Sequence, residues 1–300
     1  MASKIAPPER IGFIGLGNMG GPMARRLAAA GYKLAVFDAS AEAVQRFAKE
    51  TECETPGSLA EVGKACRVVI TMLPDGHIVR NVLLGDGGVT SGLAQGSILI
   101  DMSSSSPVGT RETAAELAKL GFPLIDAPVS GGVRKAIDGT LAIMAGGDAE
   151  LIEACRDLLS TMGHVFVAGS SGCGHAMKSL NNFLSAINLA SAAEAVIAGQ
   201  RFGLDPKVMI EIFNASTGKN SATEHKYPAF ILTRTFNSGF FMGLMAKDLR
   251  LALELAQSTN SPATLLADTK TLWEEGEKKY GFRSDSVEVV RYLEELAEND

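Results

Sequence analysis

The sequence predicts a two-part fold: a doubly wound, mostly parallel α/β domain over residues 1–170 and an all-helical domain over residues 171–300, joined by one long helix. Three observations predict it. Short apolar, β-prone segments alternate with helical ones from Arg10 to Ala168. The first of them runs directly into a glycine-spaced turn that opens a helix. After Gly172 the strand pattern stops and only helical periodicity remains. A chain of 300 residues with 46% hydrophobic and 21% charged residues is long and apolar enough for two ordinary globular domains.

The first strand is Arg10 to Ile14, followed by Gly15-Leu16-Gly17-Asn18-Met19-Gly20 and a helix over Pro22 to Ala30 that stops at Gly31. This is strand, G-x-G-x-x-G, helix: the Rossmann fingerprint for a dinucleotide. Gly15 permits the tight turn, Gly17 lets the backbone approach a pyrophosphate, and Gly20 lets helix and strand pack closely. The free N–H groups of the helix start then hold the phosphates. The second strand, Lys33 to Asp38, ends in a carboxylate eighteen residues beyond Gly20 (38 − 20). A carboxylate there accepts hydrogen bonds from a ribose hydroxyl and repels a 2′-phosphate, and Ala39 and Ser40 supply no cation, so NAD is predicted over NADP. The alternative is that Asp38 only caps the helix starting near Ala41.

Further strands are Cys66 to Leu73, Ser97 to Met102, Phe122 to Asp126, Thr140 to Ala145 and His164 to Ala168, with helices to Leu84, to Leu120 and over Leu151 to Met162. In such a sheet the ligand lies beyond the C-terminal strand ends. The segments there are Gly15–Gly20, Leu73-Pro74, Ser103-Ser104 and Asp126–Gly132, with Ser104 beside the nicotinamide. Ser130-Gly131-Gly132 reads either as a nest of N–H groups and a hydroxyl for a carboxylate or as a plain glycine turn.

Gly172-Cys173-Gly174 then leads into the long helix, read as Ala176 to Phe202. Lys178 and Asn182, four apart, share one face near its start. The positive end of the helix dipole disfavours a protonated lysine, so in a dry site Lys178 becomes able to exchange protons near neutral pH. The plain alternative is a solvated lysine beside a locally bonded asparagine. Helices follow from Asp205-Pro206, over Met242 to Gln257, from Ser261-Pro262 and from Asp285.

A net charge of −6 offers no basic face for nucleic acid or anionic membrane, and no uninterrupted apolar run is long enough to cross a bilayer. Met1 to Glu9 lacks a signal-peptide core and reads as a frayed tail. Cys53, Cys66, Cys155 and Cys173 follow no disulfide or zinc spacing; Cys173 and His175, with His164, lack a second ligand pair, so no metal is predicted. A reducing, cytoplasmic setting is expected.

With these residues placed, the chain resembles the β-hydroxyacid dehydrogenase family over nearly its whole length. The resemblance is carried by Phe13–Gly20, by Asp126-Ala127-Pro128-Val129-Ser130-Gly131-Gly132, by Gly172, Gly174, Lys178 and Asn182 in the pattern G-x-G-x-x-x-K-x-x-x-N, and by Leu244-Met245-Ala246-Lys247-Asp248-Leu249. It implies Lys178 as catalytic acid/base and Asn182 as the group that orients substrate. It implies Ser130, Gly131 and Gly132 as the carboxylate site, and Lys247 with Asp248 on the cofactor side. Ser104 stands where many relatives have threonine. The implied activity is reversible hydride transfer between NAD and a short 3-hydroxy acid, as in 3-hydroxyisobutyrate dehydrogenases, with a tartronate semialdehyde reductase or another short-chain semialdehyde reductase as the alternative. The loops Ser216–Asn220 and Phe236–Phe241 are expected to shape the acyl pocket. The long helix carries few charges and is expected to be buried, for instance against a second subunit; the resemblance implies a homodimer or homotetramer. Three other readings have less support: a 6-phosphogluconate dehydrogenase has a longer helical domain, an imine reductase usually replaces the lysine, and a non-catalytic NAD-sensing module loses it or adds a basic tail.

Overall fold

The computed structural model describes residues 4–299. In chain order it runs β1 (Arg10–Ile14), α1 (Gly20–Ala29), β2 (Lys33–Phe37), α2 (Ala41–Glu50), α3 (Leu59–Ala65), β3 (Val68–Thr71), α4 (Gly76–Leu84), β4 (Ile98–Asp101), α5 (Pro107–Lys119), β5 (Leu124–Asp126), β6 (Val129–Ser130), α6 (Gly132–Asp138), β7 (Leu141–Gly146), α7 (Ala149–Ala154), α8 (Arg156–Ser160) and β8 (Gly163–Gly169). Then come α9 (Cys173–Phe202), α10 (Pro206–Ala215), a π-helix (Ala222–Ile231), α11 (Met242–Ser258), α12 (Thr264–Tyr280) and α13 (Val289–Asn299). The chain packs as two compact units, one ending at Lys178 and the next starting at Ser179, so the division falls within α9.

In the first unit the strands stand in the order β2-β1-β3-β4-β5-β7-β6, with β8 beside β7. The first five are parallel; β7 is antiparallel to β5 and β6 and parallel to β8. Successive strand residues point to opposite faces, and both faces are buried. Ile11, Phe13, Val68, Ile70, Ile98 and Ile100 enter one apolar cluster, while Ile14, Val69 and Leu99 enter the other. Each such burial contributes about 1.5–3 kcal/mol, which is why these strands read as continuous apolar runs. The chain leaves β1 for β2 on one side and returns to β3 on the other. That reversal is the switch point at which a doubly wound sheet binds its ligand.

Several expectations are corrected. Helices α3 and α6 and strand β6 have no counterpart among the elements the sequence predicts, and the helix predicted over Leu151 to Met162 is two short ones that break at Cys155. The N-terminal tail is docked from Lys4 onward. Ile5 is wholly buried, its N–H donates to the Ala154 carbonyl at 2.9 Å, and the Tyr32 hydroxyl donates to its carbonyl at 3.2 Å. Met1–Ser3 lie outside the described residues. The long helix begins at Cys173, not Ala176, so Lys178 stands in its second turn. A helix dipole acts mainly within the first turn, so it contributes little at Lys178, contrary to the expectation from sequence.

The second unit is helical, with Tyr227, Met242, Leu249 and Trp273 fully or almost fully buried in its core. Ala186, Leu189, Ala193 and Val196 of α9 join that core. By length and composition α9 is also, among the described residues, the one helix long and apolar enough to cross a membrane, although it contains no uninterrupted apolar run of that length. Polar residues such as Asn181, Asn182, Ser185 and Asn188 interrupt every apolar run without lowering the average enough. The π-helix contains Pro228, which has no N–H to give. In five-residue spacing its acceptor would be the Thr223 carbonyl, and the Asn214 carboxamide donates to that oxygen at 3.0 Å instead.

Candidate active site

The glycine loop between β1 and α1 has the shape its spacing implies. Gly15 sits at φ +99°, and a Cβ there would strike the Met72 carbonyl; a Cβ on Gly20 would strike the Gly15 carbonyl. Only glycine fits either place. A Cβ on Gly17 would meet nothing within 4 Å, so the backbone is open on the side a pyrophosphate would approach. Met19, at the start of α1, caps it with no side-chain hydrogen bond. Asp38, at the end of β2, accepts the Leu16 N–H at 2.7 Å and the Ser40 N–H at 2.8 Å. The helix cap is Ser40, whose hydroxyl accepts from Ala43, so Asp38 is left to the loop. Leu16, Asn18 and Asp38 therefore converge with the three glycines.

At the neighbouring strand ends a buried carboxylate organises the backbone. Asp101 accepts the Thr71 hydroxyl at 3.0 Å, the Ser103 N–H at 3.0 Å and the Ser105 hydroxyl at 2.8 Å. Ser103 in turn accepts the Leu73 N–H at 2.8 Å. This network fixes Leu73-Pro74 and Ser104 next to the switch point, with Ser104 half-buried. Ser130, Gly131 and Gly132 form the turn before α6, with both glycines at positive φ (+138° and +71°). Gly132 has open space around it, as a ligand-facing turn requires.

Asp126 and His175, not singled out as site residues by the sequence, anchor α9. The Asp126 carboxylate accepts the Gly172 N–H at 2.8 Å and the His175 N–H at 2.9 Å. Burial pushes its carboxyl above the usual range, against the opposing pull of His175 and of these N–H donors. His175 is buried; its Nε2 meets the Ser103 carbonyl at 3.1 Å and its Nδ1 the Thr110 hydroxyl at 2.8 Å. A carbonyl can only accept, so Nε2 carries the hydrogen, and in the neutral ring Nδ1 accepts from Thr110. Gly174 is obligatory, because a Cβ would strike the Met144 and Asp126 carbonyls. Lys178 follows His175 by three residues. The signal was in the sequence: Asp126 opens the quoted glycine motif, but its partner forty-nine residues on (175 − 126) has no local pattern.

In the helical unit Asn182 is buried and donates to the Asp248 carboxylate at 2.6 Å. The Asn181 carboxamide donates to the side-chain Oδ1 of Asn182 at 3.2 Å. Asp248, expected on the cofactor side, is tied to Asn182, which is expected to orient substrate, and Lys247 lies 3.9 Å from its other oxygen. The hydrogen bond fixes which end of the carboxamide faces away from α11. Among the described residues no group of three or more His, Cys, Asp or Glu could hold a metal. All four cysteines are free, with burial pushing the Cys66 and Cys155 thiols up to about 12, far from a reactive thiolate.

Comparison with known proteins meets this geometry. The model for the NAD-binding domain of 6-phosphogluconate dehydrogenase matches residues 10–171. The model described as NAD-binding of NADP-dependent 3-hydroxyisobutyrate dehydrogenase matches residues 172–293. A 2-(hydroxymethyl)glutarate dehydrogenase of Eubacterium barkeri is 38% identical over 96% of this chain and 95% of its own. The chain belongs to the β-hydroxyacid dehydrogenase family. Human mitochondrial 3-hydroxyisobutyrate dehydrogenase is 41% identical over 87% of this chain and 80% of its own. The solved structure of Mycobacterium tuberculosis 3-hydroxyisobutyrate dehydrogenase with L-serine superposes with a TM-score of 0.89 at 31% identity, covering 95% of this chain and 99% of that one. An imine reductase from Bacillus cereus, at 17% identity and a TM-score of 0.65, shares the fold alone. The chain is thus an oxidoreductase acting on a CH–OH group, and its glycine loop with Asp38 fits NAD, which accepts the hydride.

Proposed function

We propose that this enzyme oxidises short 3-hydroxy carboxylates reversibly with NAD, in the manner of a 3-hydroxyisobutyrate dehydrogenase. The relatives named above point to one reacting core. 3-Hydroxyisobutyrate, 2-(hydroxymethyl)glutarate and serine are all HO–CH2–CH(R)–COO⁻ and differ only in R. Residues 1–170 hold the dinucleotide, and residues 171–300 supply Lys178 and Asn182 to the substrate. Lys178 takes the proton from the hydroxyl as the carbonyl forms and returns it in reduction; such a group contributes about 10²–10⁴-fold. Asn182 orients the same oxygen, with its carboxamide held by Asp248. Ser130, Gly131 and Gly132 bind the carboxylate. Lys247 lies on the cofactor side and Ser104 beside the nicotinamide.

The observation that carries this reading is the pair Lys178 and Asn182, one turn apart on α9: Lys178 stands three residues after His175, whose backbone N–H is held by the buried Asp126, and Asn182 is itself held by the buried Asp248. The test is nicotinamide absorbance with purified protein, NAD or NADP, and 3-hydroxyisobutyrate, glycerate, 4-hydroxybutyrate, threonate, L-serine and 2-(hydroxymethyl)glutarate. Turnover with NAD on a 2-substituted 3-hydroxypropanoate is expected, and Lys178→Ala should remove most of it while leaving NAD binding nearly intact. A Lys178→Ala variant that loses NAD binding but keeps its chemistry refutes the assignment. A tartronate semialdehyde reductase would instead favour the smallest semialdehyde in reverse.

A further inference from the structure

One buried cation takes no part in that mechanism. Lys226 lies in the π-helix, partly buried, and its Nζ donates to the Ser185 hydroxyl at 3.1 Å. Among the described residues no carboxylate comes within ion-pair distance of it. Burial pushes its amine down to about 8, and only the more distant Asp285 pulls the other way. An ammonium taken from water and given a neutral hydroxyl as partner is costly to keep unless a charge of opposite sign joins it.

Its position gives that charge a source. Ser185 is seven residues after Lys178 and three after Asn182, so all three lie on one stripe of α9. Along the helix the rise from Lys178 to Ser185 is roughly 10 Å. The hydroxyl oxygen and the far carboxyl carbon of 2-(hydroxymethyl)glutarate are five single bonds apart, roughly 6 Å when extended. Hydrogen bonds of about 2.8 Å at both ends bring the span close to that rise.

We propose that Lys226, held by Ser185, receives a second anionic group on the substrate, and that the enzyme therefore selects HO–CH2–CH(R)–COO⁻ in which R ends in a carboxylate. This rests on the function proposed above. It makes Lys226 a residue that determines specificity and takes no part in proton transfer.

The experiment compares 2-(hydroxymethyl)glutarate with 3-hydroxyisobutyrate, which share the reacting core and differ by the second carboxylate arm. Steady-state kcat/KM is measured with NAD for the full-length wild type, Lys226→Met and Lys226→Arg. The selectivity ratio for the dicarboxylate should fall about ten- to hundredfold in Lys226→Met, chiefly through KM, and be largely kept in Lys226→Arg, which preserves the charge. An unchanged ratio in Lys226→Met overturns the proposal. So does a wild type that oxidises 3-hydroxyisobutyrate and refuses the dicarboxylate, a result that leaves the family reading standing. Refusal of both acids removes the reading itself, and the inference with it.

Discussion

The carboxylate of Asp126 accepts the backbone N–H of His175 at 2.9 Å, and its second oxygen accepts that of Gly172 at 2.8 Å, so one buried side chain straddles the start of α9. Lys178 inherits its position from this grip. Asp126→Asn keeps the shape but offers one acceptor and one donor to two converging donors, which leaves an N–H facing an NH2 group. The expected result is a tenfold or greater loss in kcat, a KM for NAD within a few-fold of wild type, and a stability loss of about 1–3 kcal/mol. Steady-state kinetics with a urea melt checks this. Unaltered kcat with lowered stability would show that Lys178 does not depend on the clamp.

The bond from Asn182 to Asp248 leads to a charge experiment. Asn182→Asp is nearly isosteric but sets two carboxylates where a 2.6 Å hydrogen bond stood. Either one takes up a proton or the pair separates. The variant should lose kcat by roughly a hundredfold or more near neutral pH and recover part of it on acidification, as a shared proton restores the hydrogen bond. A flat pH response would argue that Asn182 acts without Asp248.

Asp38 is the residue on which the expected preference for NAD over NADP turns. It accepts the Leu16 N–H beside the open face of Gly17, so a 2′-phosphate would meet a carboxylate and no cation from Ala39 or Ser40. Asp38→Ala should move the NAD/NADP ratio of kcat/KM toward NADP by about ten- to hundredfold, mainly by weakening NAD. Equal losses with both dinucleotides would mean that Asp38 serves only to brace the loop.

What could be read ahead was what chain-local physics writes locally. Gly15, Gly17 and Gly20 have fixed spacing because each meets a different steric demand, and the strands are buried on both faces, so they appear as apolar runs. Lys178 and Asn182 share a stripe by helical period alone. The long-range bonds were not legible. Asp101 reaches back thirty residues to Thr71 (101 − 71), and Asp126 reaches His175 across the whole of β7 to β8. The π-helix left no period to detect: its hydrogen bonds skip five residues, and Asn214, outside it, satisfies the carbonyl that Pro228 cannot. Lys226 was hidden for the same reason, since only that uncommon spacing and Ser185 place it.

Lys226 also sets a stability prediction that needs no substrate. Its ordinary value is 10.5 and burial brings it to about 8. Between those values the unfolded chain holds more protons than the folded one, so folding gains stability as pH rises from about 8 toward 10.5, and the full cost of the buried ammonium is present below about 8. Lys226→Met removes that cost and keeps the aliphatic stem. At pH 7 the variant should be more stable than wild type by up to about 3 kcal/mol, and the gap should close as the pH is raised toward that of the free amine. Urea midpoints at pH 7 and pH 10 measure it. A variant no more stable at pH 7 would show that the ammonium keeps its water, and would leave Lys226 an ordinary surface lysine. A stabilised variant would show that the fold bears a cation at a net cost, which is the condition expected of a group kept for a ligand rather than for the core.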